Sequence, residues 1–543
     1  MKKIVMLSAF AFLASCTSVQ NTTPSEPFAW EGANLYFLLT DRFNNGDLKN
    51  DVNFNRTEKA AVLRGFEGGD LRGIIQKIDE GYFKKLGINA IWMTPIVEQI
   101  HGATDEGTGK TYGFHGYWAK DWTVLDPNFG TEKDLKELVE KAHKQGIRIV
   151  LDAVINHTGP TTNLDETYPM TWVRTEPQCK YNNYENFTAC TLVANLPDVL
   201  TESNEKAGLP TLLEKKWRKE GRYEKEMSEL NEFFVKTGYP RAPKYYIMKW
   251  LSDYVREFGI DGYRVDTVKH TNEDVWKDFK KVCDQAFAEF KLNNPDKVLD
   301  KNTPFFTVGE VYGYGISGKQ IYDFGDKKVN YFQNGFTSLI NFDFKGDANK
   351  SYEEIFSNYD KILHQDLTGK TVMNYATSHD DGWPFDKERK RTYETATKLL
   401  LAPGISQIYY GDETGRKLIV AGAEGDANLR SNMNWEDIKN NPETQKLLEH
   451  WQKLGQFRRN HPAVGAGFHK MISNSPYWFS RTHKTDKVVI GLDLPTGTKE
   501  VNVSGIFENG TKVKDAYSGA TMPVIDGKVS LTNNYQIVLL EKN

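Results

Sequence analysis

Along most of this chain, short apolar runs alternate with helix-like runs, and this rhythm constrains the fold more than any other feature. Strand-like runs occupy residues 35–39, 88–93, 147–151, 262–266, 305–309, 338–344, 371–376 and 405–410. Helical periodicity marks 74–86, 135–143, 245–258 and 276–290 between them. Strands that are apolar on both faces must be covered on both, which calls for a parallel sheet with crossover helices. Eight such units predict a (β/α)8 barrel. The rhythm breaks after His157, where residues 158–243 hold Pro, Asn, Cys and charge around a helical piece near 212–234. This segment reads as a domain inserted after the third strand. From residue 462 the pattern becomes short alternating runs such as 488–492, 501–503 and 536–540, with no helix among them. That predicts a C-terminal antiparallel β-sandwich. The expected layout is a targeting segment at 1–15, a tether at 16–30, barrel at 31–157 and 244–461, insert at 158–243 and sandwich at 462–543.

Charged residues recur where such a barrel keeps its reactive face. Asp152, Asp266, Glu310 and Asp380 each fall at the C-terminal end of a predicted strand, the end that carries active sites in this architecture. Arg264 and Asp266 alternate along one strand and point to the same side. One such pair alone reads as a salt bridge at a strand end. Four carboxylates at four strand ends read as a site. An arginine beside Asp266 keeps it ionised. Glu310 follows the apolar run 305–309, which favours a raised pKa and a proton donor. One ionised and one protonated carboxyl are what glycoside hydrolysis requires.

Those stretches also resemble a known family. The run Gly262-Tyr263-Arg264-Val265-Asp266-Thr267-Val268-Lys269-His270 is similar to the nucleophile region of the α-amylase family (glycoside hydrolase family 13). Asp152-Ala-Val-Ile-Asn156-His157, Leu196-Pro197-Asp198, Val308-Gly309-Glu310-Val311 and Thr377-Ser378-His379-Asp380 resemble its other signature stretches, in the family's order. The resemblance implies hydrolysis of α-glucans with retained anomeric configuration. Asp266 would be the nucleophile, Glu310 the acid/base, and the two carboxyls would lie about 5–5.5 Å apart. Asp380, His157 and His379 would bind hydroxyls of the sugar being cleaved. Tyr117 would form the platform beneath it, with Trp118 beside it, and Asp426 and Arg430 would serve the same subsite. Lys269 and His270 would lie on the leaving-group side, as in members that cut inside α-1,4-glucans. Ser378 departs from the Asn more common before His-Asp and weakens assignment to a subgroup.

The same resemblance implies structural Ca2+, which takes hard oxygen ligands. One set is Asn156, Asp198 and the carbonyl of His270, between barrel and insert. The other is Asn45, Asp47, Asn50 and Asp51, with Gly68 and Asp70 further on. The bland reading of this second set is an Asn/Asp turn without metal.

Composition adds limits. The formal net charge of −4 over 543 residues suggests no polyanion, so no nucleic-acid partner is expected. Lys2 and Lys3 precede an apolar run at 4–13 that is too short to span a bilayer. Leu13-Ala14-Ser15-Cys16 resembles a bacterial lipoprotein signal, which implies export and a membrane anchor through lipid on Cys16; plain secretion is the alternative. In an exported chain Cys179 and Cys190 can pair, and Cys283, on a helical run, reads as a buried apolar side chain. The expected state is a monomer. The sandwich reads as a cover for the barrel in preference to a starch-binding role, since no sugar-stacking cluster shows in its sequence. Rival readings are a neopullulanase-like, maltogenic or transglycosylating enzyme and, in another class, a glucan-binding lipoprotein without catalysis.

Overall fold

The computed structural model describes residues 27–543. The targeting segment, Cys16 and most of the expected tether lie outside the described residues. Among the described residues no helix is long and apolar enough to cross a membrane.

Eight parallel strands close into a barrel in chain order. They are β1 (Asn34–Leu38), β2 (Ala90–Met93), β3 (Arg148–Ala153), β4 (Gly262–Val265), β5 (Phe306–Gly309), β6 (Ser338–Asn341), β7 (Thr371–Tyr375) and β8 (Ile405–Tyr409). The sheet closes where Asn34 of β1 pairs with Ser406 of β8. Every residue of the eight strands is buried. Helices cover the outside and side-chain layers fill the inside, so the strands read as continuous apolar runs.

Some expected boundaries move. The sixth strand ends at Asn341, short of the expected 344, because the Asn341 side chain accepts from the N–H groups of Asp343 and Ile316 and turns the chain. The helical run 74–86 is two helices, Leu71–Asp79 and Tyr82–Lys85, separated by Gly81 at φ 71°. The piece in the insert also divides, into Thr211–Lys219 and Tyr223–Thr237, around Gly221 at φ 73°. A left-handed residue ends a helix, and glycine takes that conformation without steric cost.

Two excursions rise from the barrel's upper face. Between β2 and β3, Val97–Gln99 pairs with Ala119–Leu125; the sequence reading did not separate this hairpin, whose loop carries residues 112–118. Between β3 and β4, Val173–Arg174 pairs with Asp198–Val199, and Cys179 and Cys190 form the expected disulfide. Cys283 is buried and free.

Past residue 467 a six-stranded antiparallel sheet and a two-stranded sheet enclose a small core of their own, including Trp478, Val489, Val501 and Leu540. A four-residue helix, Ala463–Ala466, precedes them where none was expected. His461 joins this unit to the barrel. It caps the helix Pro442–Asn460, its Nδ1 lies 2.7 Å from Asp486 Oδ1, and its Nε2 lies 2.7 Å from Glu541 Oε2. Burial disfavours its charge, but the two carboxylates outweigh this and raise its pKa to about 9. A raised histidine pKa contributes stability that is complete below about pH 6.5 and is lost as pH rises through 9. The contribution is on the order of 3 kcal/mol. Melting curves from pH 6 to 10 should show that loss in the native protein and a flatter dependence in His461→Gln; parallel curves would contradict it.

Candidate active site

The site is built on Arg264, near the end of β4. Its guanidinium is fully buried, and three carboxylates surround it. Nη1 donates to Asp152 Oδ1 and Oδ2 at 3.0 Å each and to Asp266 Oδ1 at 2.7 Å. Nη2 stands 3.0 Å from Glu310 Oε1. One positive charge cannot balance three negative ones in a buried space, so the cluster retains a proton. Burial is the main force raising the Glu310 carboxyl, to about 8, with the Asp266 and Asp380 charges adding to it and Arg264 opposing it. Asp152 is raised to about 7, again chiefly by burial.

Local backbone fixes this arrangement. Asp266 follows β4, and Thr267 after it is left-handed at φ 49°, a conformation costly for a β-branched residue and found where geometry is over-determined. The Thr267 N–H donates to Glu310 Oε2 at 3.0 Å, so the turn after one carboxylate orients the other. The chain then makes a short turn, Val268–His270. Lys269 Nζ donates to Tyr312 O at 2.9 Å, and His270 Nδ1 lies 3.0 Å from Phe187 O in the disulfide loop. Burial lowers Lys269 to about 8 and His270 to about 4.

Asp380 stands opposite. Its side chain is 36% exposed, against 8% for Asp266 and 10% for Glu310, so it is the most open of the three to a ligand. Burial opposes its ionisation, but His379 and Arg430 outweigh this and hold the carboxyl well below the usual range. Arg430 also pairs with Asp426 at 2.7 Å and donates from Nε to His379 O at 3.1 Å. Tyr117 lies between the two sides. Its hydroxyl donates to Asp152 Oδ2 at 2.8 Å, and its ring stacks on His379 with centroids 5.4 Å apart. His157 Nε2 lies 3.1 Å from Tyr117 O, and burial lowers the His157 pKa. Eleven of the residues singled out from the sequence therefore gather at one site: Asp266, Glu310, Asp380, Arg264, Tyr117, His157, His379, Asp426, Arg430, Lys269 and His270. Trp118 does not face it as a sugar contact. It is 4% exposed and packs with Ile100 and Leu196, supporting the loop that carries Tyr117.

The chain matches the model for the alpha-amylase catalytic domain over residues 37–480. It is 35% identical over 527 residues to a periplasmic alpha-amylase of Escherichia coli, covering 86% of this chain and 73% of that one. The chain belongs to the α-amylase family. It is a glycoside hydrolase acting on α-glucans. Other relatives within the family include a Bacillus cyclomaltodextrinase, 28% identical over 82% of this chain and 69% of its own length. Among solved structures, an Anoxybacillus alpha-amylase shares the fold with a TM-score of 0.64 at 24% identity, covering 95% of this chain and 99% of that one.

Sequence reasoning missed several parts of this amylase site. Asp152 was placed at a strand end but given no role; it is the main holder of Arg264. Arg64 donates to Asp426 Oδ1 at 2.8 Å, and its position in an irregular loop gave no signal. His115 accepts from the Tyr117 N–H at 3.1 Å, a contact that the dense aromatic run around it could have suggested. Trp383 lies three residues beyond Asp380 and is 82% exposed.

The family also implies calcium, and two oxygen sets can be tested against it. Among the described residues no group of three His, Cys, Asp or Glu gathers as a metal site, so any cation must rest largely on amide and carbonyl oxygens. In the loop after β1, Asn45 Oδ1 and Asn50 Oδ1 are buried without a hydrogen-bond partner. Asp51 accepts from Asn45 at 2.9 Å. Gly68 is at φ 90°, and a Cβ there would fall 2.4 Å from Asn45 Nδ2, so only glycine lets the loop close. Asp70 instead secures the loop, accepting from the N–H groups of Gly46, Asp47 and Gly73. At the barrel–insert junction, both Asp198 oxygens and Asn156 Nδ2 are buried without a hydrogen-bond partner. Arg174 Nε forms an ion pair with Asp198 Oδ2 at 2.9 Å. Orphaned buried oxygens fit a hard cation in the β1 loop, whereas at the junction Asp198 Oδ1 remains for one while Oδ2 faces Arg174 and Asn156 Oδ1 accepts from Thr271.

Proposed function

We propose that this enzyme is an exported α-amylase that cleaves internal α-1,4-glucosidic bonds by a retaining double displacement. The observation that carries the mechanism is the Arg264 fork. It grips Asp266 on one nitrogen and Glu310 on the other, and the crowding leaves a proton for Glu310. Asp266 attacks the anomeric carbon while Glu310 gives its proton to the leaving oxygen. Glu310, now ionised, takes a proton from water as that water displaces the sugar from Asp266. Asp380 and His379 hold hydroxyls of the same ring, and Tyr117 supplies the face beneath it. Asp426 and Arg430, paired with each other and through Arg430 with Asp380, serve the same subsite. Lys269 and His270, beside Tyr312 and Phe187, hold the leaving chain, which supports internal cleavage. Relatives include a cyclomaltodextrinase and a maltogenic alpha-amylase, so a preference for small α-glucans is the second reading.

Export is supported by the periplasmic relative and by the disulfide. The lipid anchor on Cys16 and a monomeric state belong to the same proposal. A product time course on soluble starch, with pullulan and maltotriose in parallel, separates the readings. Early loss of iodine staining with few new reducing ends is expected. Small products from the start, or rapid pullulan turnover, would move the assignment to the second reading. Products longer than the maltotriose supplied would mean transfer.

Calcium at both oxygen sets would act structurally, tying the β1 loop to the barrel and the insert to β4. Dialysis against a chelator should speed thermal inactivation, and Ca2+, but not Mg2+, should restore the original rate. At a calcium concentration near 100 times Kd the restored stability is about 2.7 kcal/mol per site. Unchanged inactivation after chelation, with no calcium by elemental analysis, would contradict both assignments.

A further inference from the structure

The joint between barrel and sandwich encloses a groove of about 790 Å3, within the range of about 300–1,000 Å3 typical of ligand sites. Tyrosines from both units line it. Tyr393 from the barrel is 46% exposed, and Tyr535, on the turn between the last two strands of the sandwich, is 44% exposed. Single exposed aromatics need no explanation, but two from separate units facing one groove are an arrangement. A third ring, Tyr517, is set at right angles to Tyr535 with centroids 5.1 Å apart. His450 Nδ1 holds the Tyr517 hydroxyl at 2.8 Å, and Lys453 Nζ lies 4.9 Å from the Tyr517 ring centroid and 5.3 Å from that of Tyr535. Tyr517 is therefore held in place, and Tyr535 rests against it.

Asp493, Asn534 and Gln536 line the same groove. All three are exposed. Lys398 is committed to Ala348 O, Lys350 O and Glu394, and Lys453 to Glu449, so the groove offers little to an anion. Aromatic faces beside open carboxylate and amide groups suit a neutral ligand with apolar ring faces and many hydroxyls, which is a sugar chain. The groove's position suits a polymer. The helix Thr392–Leu401 starts where the chain returns from the C-terminal end of β7. Tyr393 thus sits at the catalytic end of the barrel, thirteen residues along the loop from Asp380.

We propose that this groove is a second α-glucan-binding site, separate from the active site, that holds one stretch of a polymer while another is cleaved. The inference rests on the family's action on α-glucans. It departs from the expectation that the sandwich only covers the barrel, because one of the three rings, Tyr393, comes from the barrel. The test compares native protein with Tyr393→Ala/Tyr535→Ala on granular starch and on a short soluble maltooligosaccharide. Adsorption affinity for granules should weaken about tenfold, from the loss of two stacking faces, and the rate on granules should fall with it. Turnover of the short substrate should not change, and Tyr393→Phe/Tyr535→Phe should bind granules like the native protein. Equal adsorption by the native and alanine proteins would overturn the proposal. If the alanine pair also slows turnover of the short substrate, Tyr535→Ala alone, on its surface turn, decides by the same two readouts. Adsorption measured in the cold needs no turnover, so it tests the groove even if the proposed mode of cleavage fails.

Discussion

Asp266→Ala is expected to lower kcat on soluble starch by about 10⁴-fold or more while leaving glucan binding in place. The size follows from what is removed. Without the carboxylate no covalent intermediate forms, and the remaining groups supply only binding and electrostatic help. Arg264 would keep Asp152 and Glu310 as partners, so the cluster loses its excess negative charge and the fold should persist. Binding of a non-cleaved cyclic glucan, followed by intrinsic fluorescence, checks that the cleft survives. Residual turnover above about one hundredth of native would show that another group attacks the sugar.

Glu310→Gln should lower kcat/KM by about 10²–10⁴-fold on substrates with poor leaving groups. It should also change the pH profile. The Glu310 carboxyl is raised to about 8, first by burial, so it is a proton donor at neutral pH and is lost as a donor when pH rises through that value. The native profile of kcat/KM should therefore fall on the alkaline side near pH 8, and the glutamine variant should lack that limb. Lys269 also titrates near 8, so ownership of the limb has to be separated. Lys269→Met should weaken binding of the leaving chain yet keep the limb. A limb that disappears in the Lys269 variant and persists in the Glu310 variant would reverse the assignment.

Most of this architecture was legible in the sequence for a specific reason. Each barrel strand is covered on both faces, so it announces itself as an apolar run, and the carboxylates proposed for catalysis sit at the ends of those runs. Asp266 and Glu310 could be found from strand position and neighbours alone. The balance of charge around Arg264 could not, because Asp152 comes from a different strand and its neighbour in space is not its neighbour in sequence. Arg64 and Asp426 meet across 362 residues, and neither lies on a periodic element. Helix breaks at Gly81 and Gly221 were missed because apolar spacing continues across a left-handed glycine. The groove at the sandwich escaped for the same reason as the Arg264 cluster: its aromatic residues are scattered along the chain and meet only in the fold.

The most direct measurement traps the covalent intermediate. Glu310→Gln would be mixed with a maltosyl fluoride, whose leaving group needs no proton, then quenched and digested for mass spectrometry. With the acid/base removed, breakdown of the intermediate slows and the sugar should accumulate. A maltosyl adduct is expected on the peptide that contains Asp266, with the α-anomer among the first products. An adduct on Asp152 or Asp380, or no adduct with the β-anomer released, would contradict that expectation.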